Sequence, residues 1–292
     1  MGTSIRAAAP VLEASPSPYP LPQGEGAWFL FQRAAPNAQT FVFRTPPMEW
    51  QEEGILLATR ALGEGSAVVS LLTRGQGRHA GLVKGAMSRS AGGRYQPGNR
   101  VQAVWRARLA EHLGHLTCEL LDCPAARLLD DPDRLAGLSS ALSVTEAALP
   151  EREPHPSVFD GLVAFIEELE GGSPGWTSSY VRWELTLLGD LGYGLDLTSC
   201  AVTGVTEGLT FVSPKSGRAV ATEAAQPWRD RLLPLPPFVA DPARTAQSEE
   251  LMQGLALTGY FLERHALVAV GGRGGLPPAR ERFVERLSRR RS

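Results

Sequence analysis

"GILLATRALGEGSAVVSLLTRGQGRHAGLVKGAM", residues 54–87, consists of three short aliphatic runs punctuated by glycines. Residues 54–63 and 66–75 flank Glu64-Gly65, a pair suited to a tight hairpin turn. Residues 78–87 follow after Gly75-Gln76-Gly77, giving a third strand. Downstream, the glycine-rich loop "SRSAGGRYQPG" leads to "NRVQAVWRARL" (99–109), and "HLGHLTCELLDC" (112–123) closes the series. Five strands with glycine-rich turns in so short a stretch predict a small closed barrel, and the OB-fold is the common five-stranded form.

The barrel region carries an uneven charge. From Arg74 to Arg108 the sequence contains eight cations, Arg74, Arg78, Lys84, Arg89, Arg94, Arg100, Arg106 and Arg108, and no Asp or Glu. In the fourth strand Arg100, Arg106 and Arg108 fall on one face by period-two alternation, with Val101, Ala103 and Trp105 on the other. Tyr95, in the long loop, adds an aromatic among the cations and a candidate base-stacking platform. Phosphates supply affinity and flat bases stack, so a basic groove with an aromatic fits a single-strand binder. The competing view is a solvated face whose neutralising acids lie elsewhere in the chain. Trp105 itself reads as core.

After Pro124 the hydrophobic period changes from two to 3.6. Residues 156–170, 178–192, 248–267 and 279–291 read as amphipathic helices, with Ser178 or Ser179 as N-cap of the second and Ser248 as cap of the third. The stripe on the second includes Tyr180, Glu184, Leu187, Leu188 and Leu191. The last helix is crowded with Arg280, Arg282, Arg286, Arg289, Arg290 and Arg291 against Glu281 and Glu285. This second basic patch reads as a solvated tail, with an auxiliary DNA contact as the sharper alternative. The fold class is therefore α+β, with an OB barrel at 48–123 and a helical domain at 124–292 containing a hairpin near 200–220.

The 292-residue chain has a net charge of −2, with 43% hydrophobic and 21% charged residues, as expected of a globular protein. The balance differs by region: residues 48–123 hold nine basic and seven acidic side chains, and residues 124–292 hold 17 and 22. Residues 1–47 are rich in Pro and Ala and lack the pattern of a signal peptide. They read as a disordered leader, or as sequence upstream of a start at Met48. No apolar stretch is long enough for a membrane helix. The three cysteines give no disulfide framework, so the expected compartment is the cytoplasm. No Walker motif, HExxH or G-x-S-x-G occurs. Glu167, Glu168 and Glu170 crown a helix end and read as solvated. His112, His115, Cys118 and Cys123 have a metal-like spacing, but a separation of three on a strand sends side chains to opposite faces. No catalytic constellation survives, so the chain is not read as an enzyme, and no cofactor is expected.

"MEWQEEGILLATRALGEGSAVVSLLTRGQGRHAGLVKGAMS" and "QPGNRVQAVWRARLAEHLGHLTCELL" resemble the amino-terminal OB domain of the RecO family of DNA-repair proteins. The helical half continues the resemblance in "YVRWELTLLGDLGYGLDLTSCAVTG", "FVSPKSGRAV" and "LTGYFLERHAL". It implies a recombination mediator that binds single- and double-stranded DNA and anneals complementary strands. It further implies contact with the C-terminal tail of the single-strand binding protein SSB, and cooperation with RecR in loading RecA, near the nucleoid. By position in the barrel, the eight cations are the candidate DNA contacts. A generic OB single-strand binder without mediator activity, or a scaffold recruiting RecR or SSB, are the alternatives.

Some RecO-like proteins carry a four-cysteine zinc site in the helical half. Here Cys200 stands alone, with Thr203, Ala221 and Ala224 where the other ligands would fall. One thiol cannot hold tetrahedral zinc, so no metal is expected. The hairpin can instead turn on Thr203-Gly204 and Ser213-Pro214.

Overall fold

The computed structural model describes residues 48–290 apart from 90, 92, 110, 242 and 270–274. The leader at 1–47 and Arg291 therefore lie outside the described residues. Five strands, β1 (Met48–Leu62), β2 (Ser66–Thr73), β3 (Gly77–Val83), β4 (Arg100–Ala107) and β5 (His115–Asp122), close into a barrel of order β1-β2-β3-β5-β4. All pairings are antiparallel except β3 with β5, where Leu82 meets His115. This is the expected five-stranded OB-type barrel. The first strand starts six residues earlier than the aliphatic run suggested, and its residues 48–55 pair with β4.

Alternation fills the barrel with Leu56, Val69, Leu71, Val101, Ala103, Trp105, Leu116 and Cys118. Trp105 is core, as read: its Nε1 donates to the carbonyls of Ala80 and Leu113, and its ring stacks on Trp50 at 6.0 Å. Tyr95 is also core, 8% exposed and packed among the same residues, so it is no stacking platform. A β-bulge between Leu56 and Ala58 leaves Ile55, Leu56 and Leu57 all buried. Leu56 points into the barrel, while Ile55, Leu57 and Leu72 join the helical core. The unbroken "ILL" thus marks a strand covered on both faces.

That cover is α2 (Pro132–Ala148), which follows the short α1 (Pro124–Arg127). Helix α2 is not among the four helices that the amphipathic period predicts. Asp131 caps it by accepting from the amides of Asp133 and Arg134, with Pro132 at the first position. Leu138, Leu142, Ala141, Val144, Ser140 and Thr145 are all buried, so apolar contacts surround the helix and its amphipathic period cancels. After it come α3 (Pro156–Glu170) and α4 (Trp176–Asp190). The start of α4 lies before Ser178, whose hydroxyl instead accepts the Ala246 amide.

A small sheet of β6 (Leu209–Val212), β7 (Ala219–Ala221) and β8 (Leu233–Pro234) has the order β7-β6-β8. The pieces α5 (Thr222–Ala225) and α6 (Pro237–Ala240) flank β8. The next helix, α7 (Ser248–Phe261), is capped by Gln247 rather than Ser248, in a capping box with Glu250. It runs through a π turn, Leu262–Ala266, into α8 (Leu267–Ala269). The last helix, α9 (Pro278–Arg289), is no solvated tail. Phe283 is fully buried, and Arg280, 2% exposed, forms a bidentate pair with the fully buried Glu184 on α4.

Candidate nucleic-acid interface

Of the eight barrel cations Arg78, Arg100 and Arg106 lie in strands and the others in turns and loops, and the fold separates the eight into a paired and an unpaired set. Arg106 lies directly across from Glu49 on β1 and bonds it at 2.6 Å. Arg106 holds the Glu49 carboxyl below its usual range. Arg100 reaches Glu53 at 3.4 Å. Arg74 makes a forked pair with Asp160 on α3, at 2.9 and 3.0 Å, which depresses the Asp160 carboxyl in the same way. The 74–108 window lacks acids because they arrive from the start of β1 and from the helices.

Arg78 is not a surface residue. Its side chain is 13% exposed, its Nε donates to the Leu149 carbonyl at 2.8 Å, and Glu151 and Glu146 lie at 3.4 and 3.7 Å. Its own carbonyl accepts the Arg152 amide at 2.8 Å. The stitch is close enough that Gly77, at φ +69°, has no room for a Cβ, which would lie 1.9 Å from the Glu153 carbonyl oxygen. Arg78 therefore ties the barrel to the helical region.

Lys84, Arg89, Arg94 and Arg108 remain. The first two are exposed on the β3–β4 loop and Arg108 just beyond β4, and among the described residues none of the four has an ion-pair partner. Arg94 borders a shallow depression with Gly93, Glu119, Leu120 and Cys123. Cys118, at its floor, is a buried thiol pushed up to about 12 by burial, which outweighs the opposing pull of Arg94. Backbone bonds draw the loops together: Met87 N–H donates to the Gly65 carbonyl of the β1–β2 turn, and Leu82 N–H to Gly114 of the β4–β5 turn. In OB-folds the β2–β3 face and the β1–β2 and β4–β5 loops are where oligonucleotides bind. The end of β1, the β3–β4 loop and the β4–β5 loop expose Leu62, Met87, Leu109 and Leu113, between 40% and 54% accessible. Their only mark in the sequence is an apolar residue beside a glycine- or arginine-rich turn.

The metal-like spacings resolve otherwise. His115 is exposed on β5 and Cys118 faces the barrel interior, so they diverge. Cys200 is buried beside the small sheet, and its sulfur accepts the Ala221 amide at 3.3 Å. Burial raises this thiol, but the hydrogen bonds from Ala221 and from the Thr203 and Val202 segment prevail and bring it to about 6. The neighbours are Thr, Val and Ala, which are not metal ligands, so these residues do not fit a zinc ion. Among the described residues no group of three or more His, Cys, Asp or Glu side chains comes together to hold a metal. None of the described helices is long and apolar enough to cross a membrane.

A five-stranded OB-type barrel with unpaired cations on its loops, fused to a helical region carrying a small three-stranded sheet, defines the class. Residues 48–124 match the family model "Recombination protein O N terminal", and residues 129–272 match "Recombination protein O C terminal". The chain is 52% identical over 242 residues to the DNA repair protein RecO of Rhodospirillum centenum, covering 82% of this chain and 94% of that one. With the DNA repair protein RecO of Rhodospirillum rubrum it shares 49% over 247 residues, covering 83% and 97%. With that of Cereibacter sphaeroides it shares 47% over 242 residues, covering 83% and 99%. The chain belongs to the RecO family, a family of DNA-repair and recombination proteins.

Proposed function

We propose that this protein is a recombination mediator that binds single- and double-stranded DNA through the loop edge of its barrel and anneals complementary strands. The observation that carries this reading is the set of four unpaired cations, Lys84, Arg89, Arg94 and Arg108, on an OB-type barrel. A free surface cation that meets a phosphate releases a condensed counterion, which is the main source of sequence-independent affinity. Arg74, Arg100 and Arg106 would first have to surrender a carboxylate, and Arg78 is built into the interface. Among the described residues Tyr95, the aromatic candidate of the barrel, is buried like Trp105, and Trp50 stacks on Trp105. Contact through phosphate and aliphatic side chains leaves the Watson–Crick edges of a bound strand free to pair. That is what annealing requires.

In this role the protein would act with RecR, on DNA coated by SSB whose C-terminal tail it contacts, to help load RecA in the bacterial cytoplasm. Division of labour would follow the two regions, with DNA at 48–123 and protein partners at 124–292. The test is annealing of SSB-coated complementary oligonucleotides. The wild-type protein should accelerate pairing, and K84A/R89A/R94A/R108A should lose most of the acceleration. A protein that binds the strands without speeding their pairing would be a passive OB binder, and the mediator reading would fall.

A further inference from the structure

Helix α9 carries more positive charge than its docking uses. Arg280 turns inward to Glu184 and fixes the helix. Arg282, Arg286, Arg289 and Arg290, spaced so that they share the opposite side, line a groove of about 550 Å³ with Pro132, Asp133 and Ala136 of α2 and with Glu285. Asp133 is buried, 3% exposed at its side chain, and pairs with both Arg286 and Arg290; Arg289 bonds Glu285. Arg282 is exposed and has no ion-pair partner among the described residues. Four guanidinium groups thus face two carboxylates. The side chains of Arg286, Arg289 and Arg290 remain 43%, 76% and 68% exposed despite their pairs.

Asp133 directs two of these forks without exhausting them, since each guanidinium has five N–H donors. The first turn of α2 adds the partial positive charge of a helix N-terminus. Pro132 and Ala136 are the non-polar residues among those that line it. The groove offers forked donors matched to phosphate oxygens, over an apolar floor made of small residues and the methylene stems of the arginines.

We propose that the α9–α2 groove is a second phosphate-backbone site for single-stranded DNA, distinct in residues from the barrel loops. It builds on the reading that this protein binds DNA. Two separate sites would let one molecule hold two strands at once.

The test uses the full chain with R282A/R289A, which spares the Asp133 pairs, and with R282K/R289K as the charge-preserving control. Anisotropy with a thymidine oligonucleotide over a salt series gives the slope of log K against log salt. Bridging is read as energy transfer between donor- and acceptor-labelled thymidine oligonucleotides, which cannot pair with each other. The expected result for R282A/R289A is a slope smaller by about 0.7, the share of the unpaired Arg282 at about 0.7 per phosphate contact on single strands, since Glu285 already holds Arg289, together with loss of energy transfer. R282K/R289K should keep both, and circular dichroism should show unchanged folding in each. Unaltered slope and transfer in R282A/R289A would mean an ordinary solvated helix face and would overturn the proposal. So would displacement of DNA-independent poly-glutamate binding by the same variant with no change toward DNA, which would assign the groove to acidic peptides. Failure of K84A/R89A/R94A/R108A to change the slope, with R282A/R289A still active in lowering it, would remove the barrel reading and leave this one standing.

Discussion

Replacing Arg280 with Ala should unfold the protein far more readily than loss of any surface arginine. Arg280 Nε and Nη2 reach Glu184 at 2.6 and 2.9 Å, and Nη2 also donates to the Leu255 carbonyl at 2.8 Å. Glu184 further accepts from Tyr180 Oη at 2.8 Å and Thr258 Oγ1 at 2.5 Å, and Tyr180 bonds Ser140 at 2.6 Å. The network joins α2, α4, α7 and α9. Gly259 makes room for it, because a Cβ there would lie 2.8 Å from Arg280 Nη1. Burial and the Glu184 charge raise the Tyr180 phenol far above its ordinary value, so it stays a donor. Removal of Arg280 strands a fully buried carboxylate, which costs about 3–5 kcal/mol. For a unit of this size each kcal/mol moves Tm by roughly 2–4 °C, so R280A should melt roughly 6–20 °C lower. The assay is denaturant and thermal unfolding of R280A, and of E184L/R280M, in which both charges are replaced by apolar groups. The double variant should recover most of the loss, because the penalty comes from the unpaired charge. A cost below about 1 kcal/mol for R280A, or a double variant no better than the single, would refute this view of the buried pair.

Two further expectations follow from the same contacts. R78A leaves the buried Leu149 carbonyl unpaired and removes a cation from Glu146, so it should cost about 1–3 kcal/mol in unfolding experiments while leaving the salt slope of DNA binding unaltered; a lower slope with unchanged stability would place Arg78 on the DNA instead. The folded-state value of the Cys200 thiol, about 6, lies below its ordinary value near 9. Its stabilisation is thus full above pH 9, declines as the pH falls, and is gone below about 6. Thiolate absorbance at 240 nm should rise with a midpoint near 6 in the wild type and not in C200S; a midpoint above 8 would contradict it.

The barrel was legible because short aliphatic runs and glycine turns report directly on strand pairing. Its first half-strand was not, since in "MEWQEE" only Met48 and Trp50 are apolar, and the missed strand carries Glu49 and Glu53. The apparent lack of acids around the arginines followed from that omission, because cross-strand partners are distant in sequence. The same limit applies to the helical region. Asp160 is 86 residues from Arg74, Glu184 is 96 from Arg280, and Asp133 is 153 from Arg286. A charge run in the sequence does not say which of its members the fold will spend. Helix α2 escaped because a helix buried on most sides loses its period, although Asp131-Pro132 marked its start. Glu184, by contrast, already stood on the apolar stripe of α4, and its buried position needed only a partner.

The most direct measurement compares two sets of substitutions by anisotropy on single-stranded DNA across a salt series. K84A/R89A/R94A/R108A removes the unpaired cations, and R74A/R100A/R106A removes those held by carboxylates. The first should lower the slope of log K against log salt by about 2.8, at about 0.7 per contact, and the second by less than about 0.7 in total, because exchanging one anion for another releases little counterion. Equal losses per arginine in the two sets, or no loss in the first, would contradict the assignment of DNA binding to the loop edge.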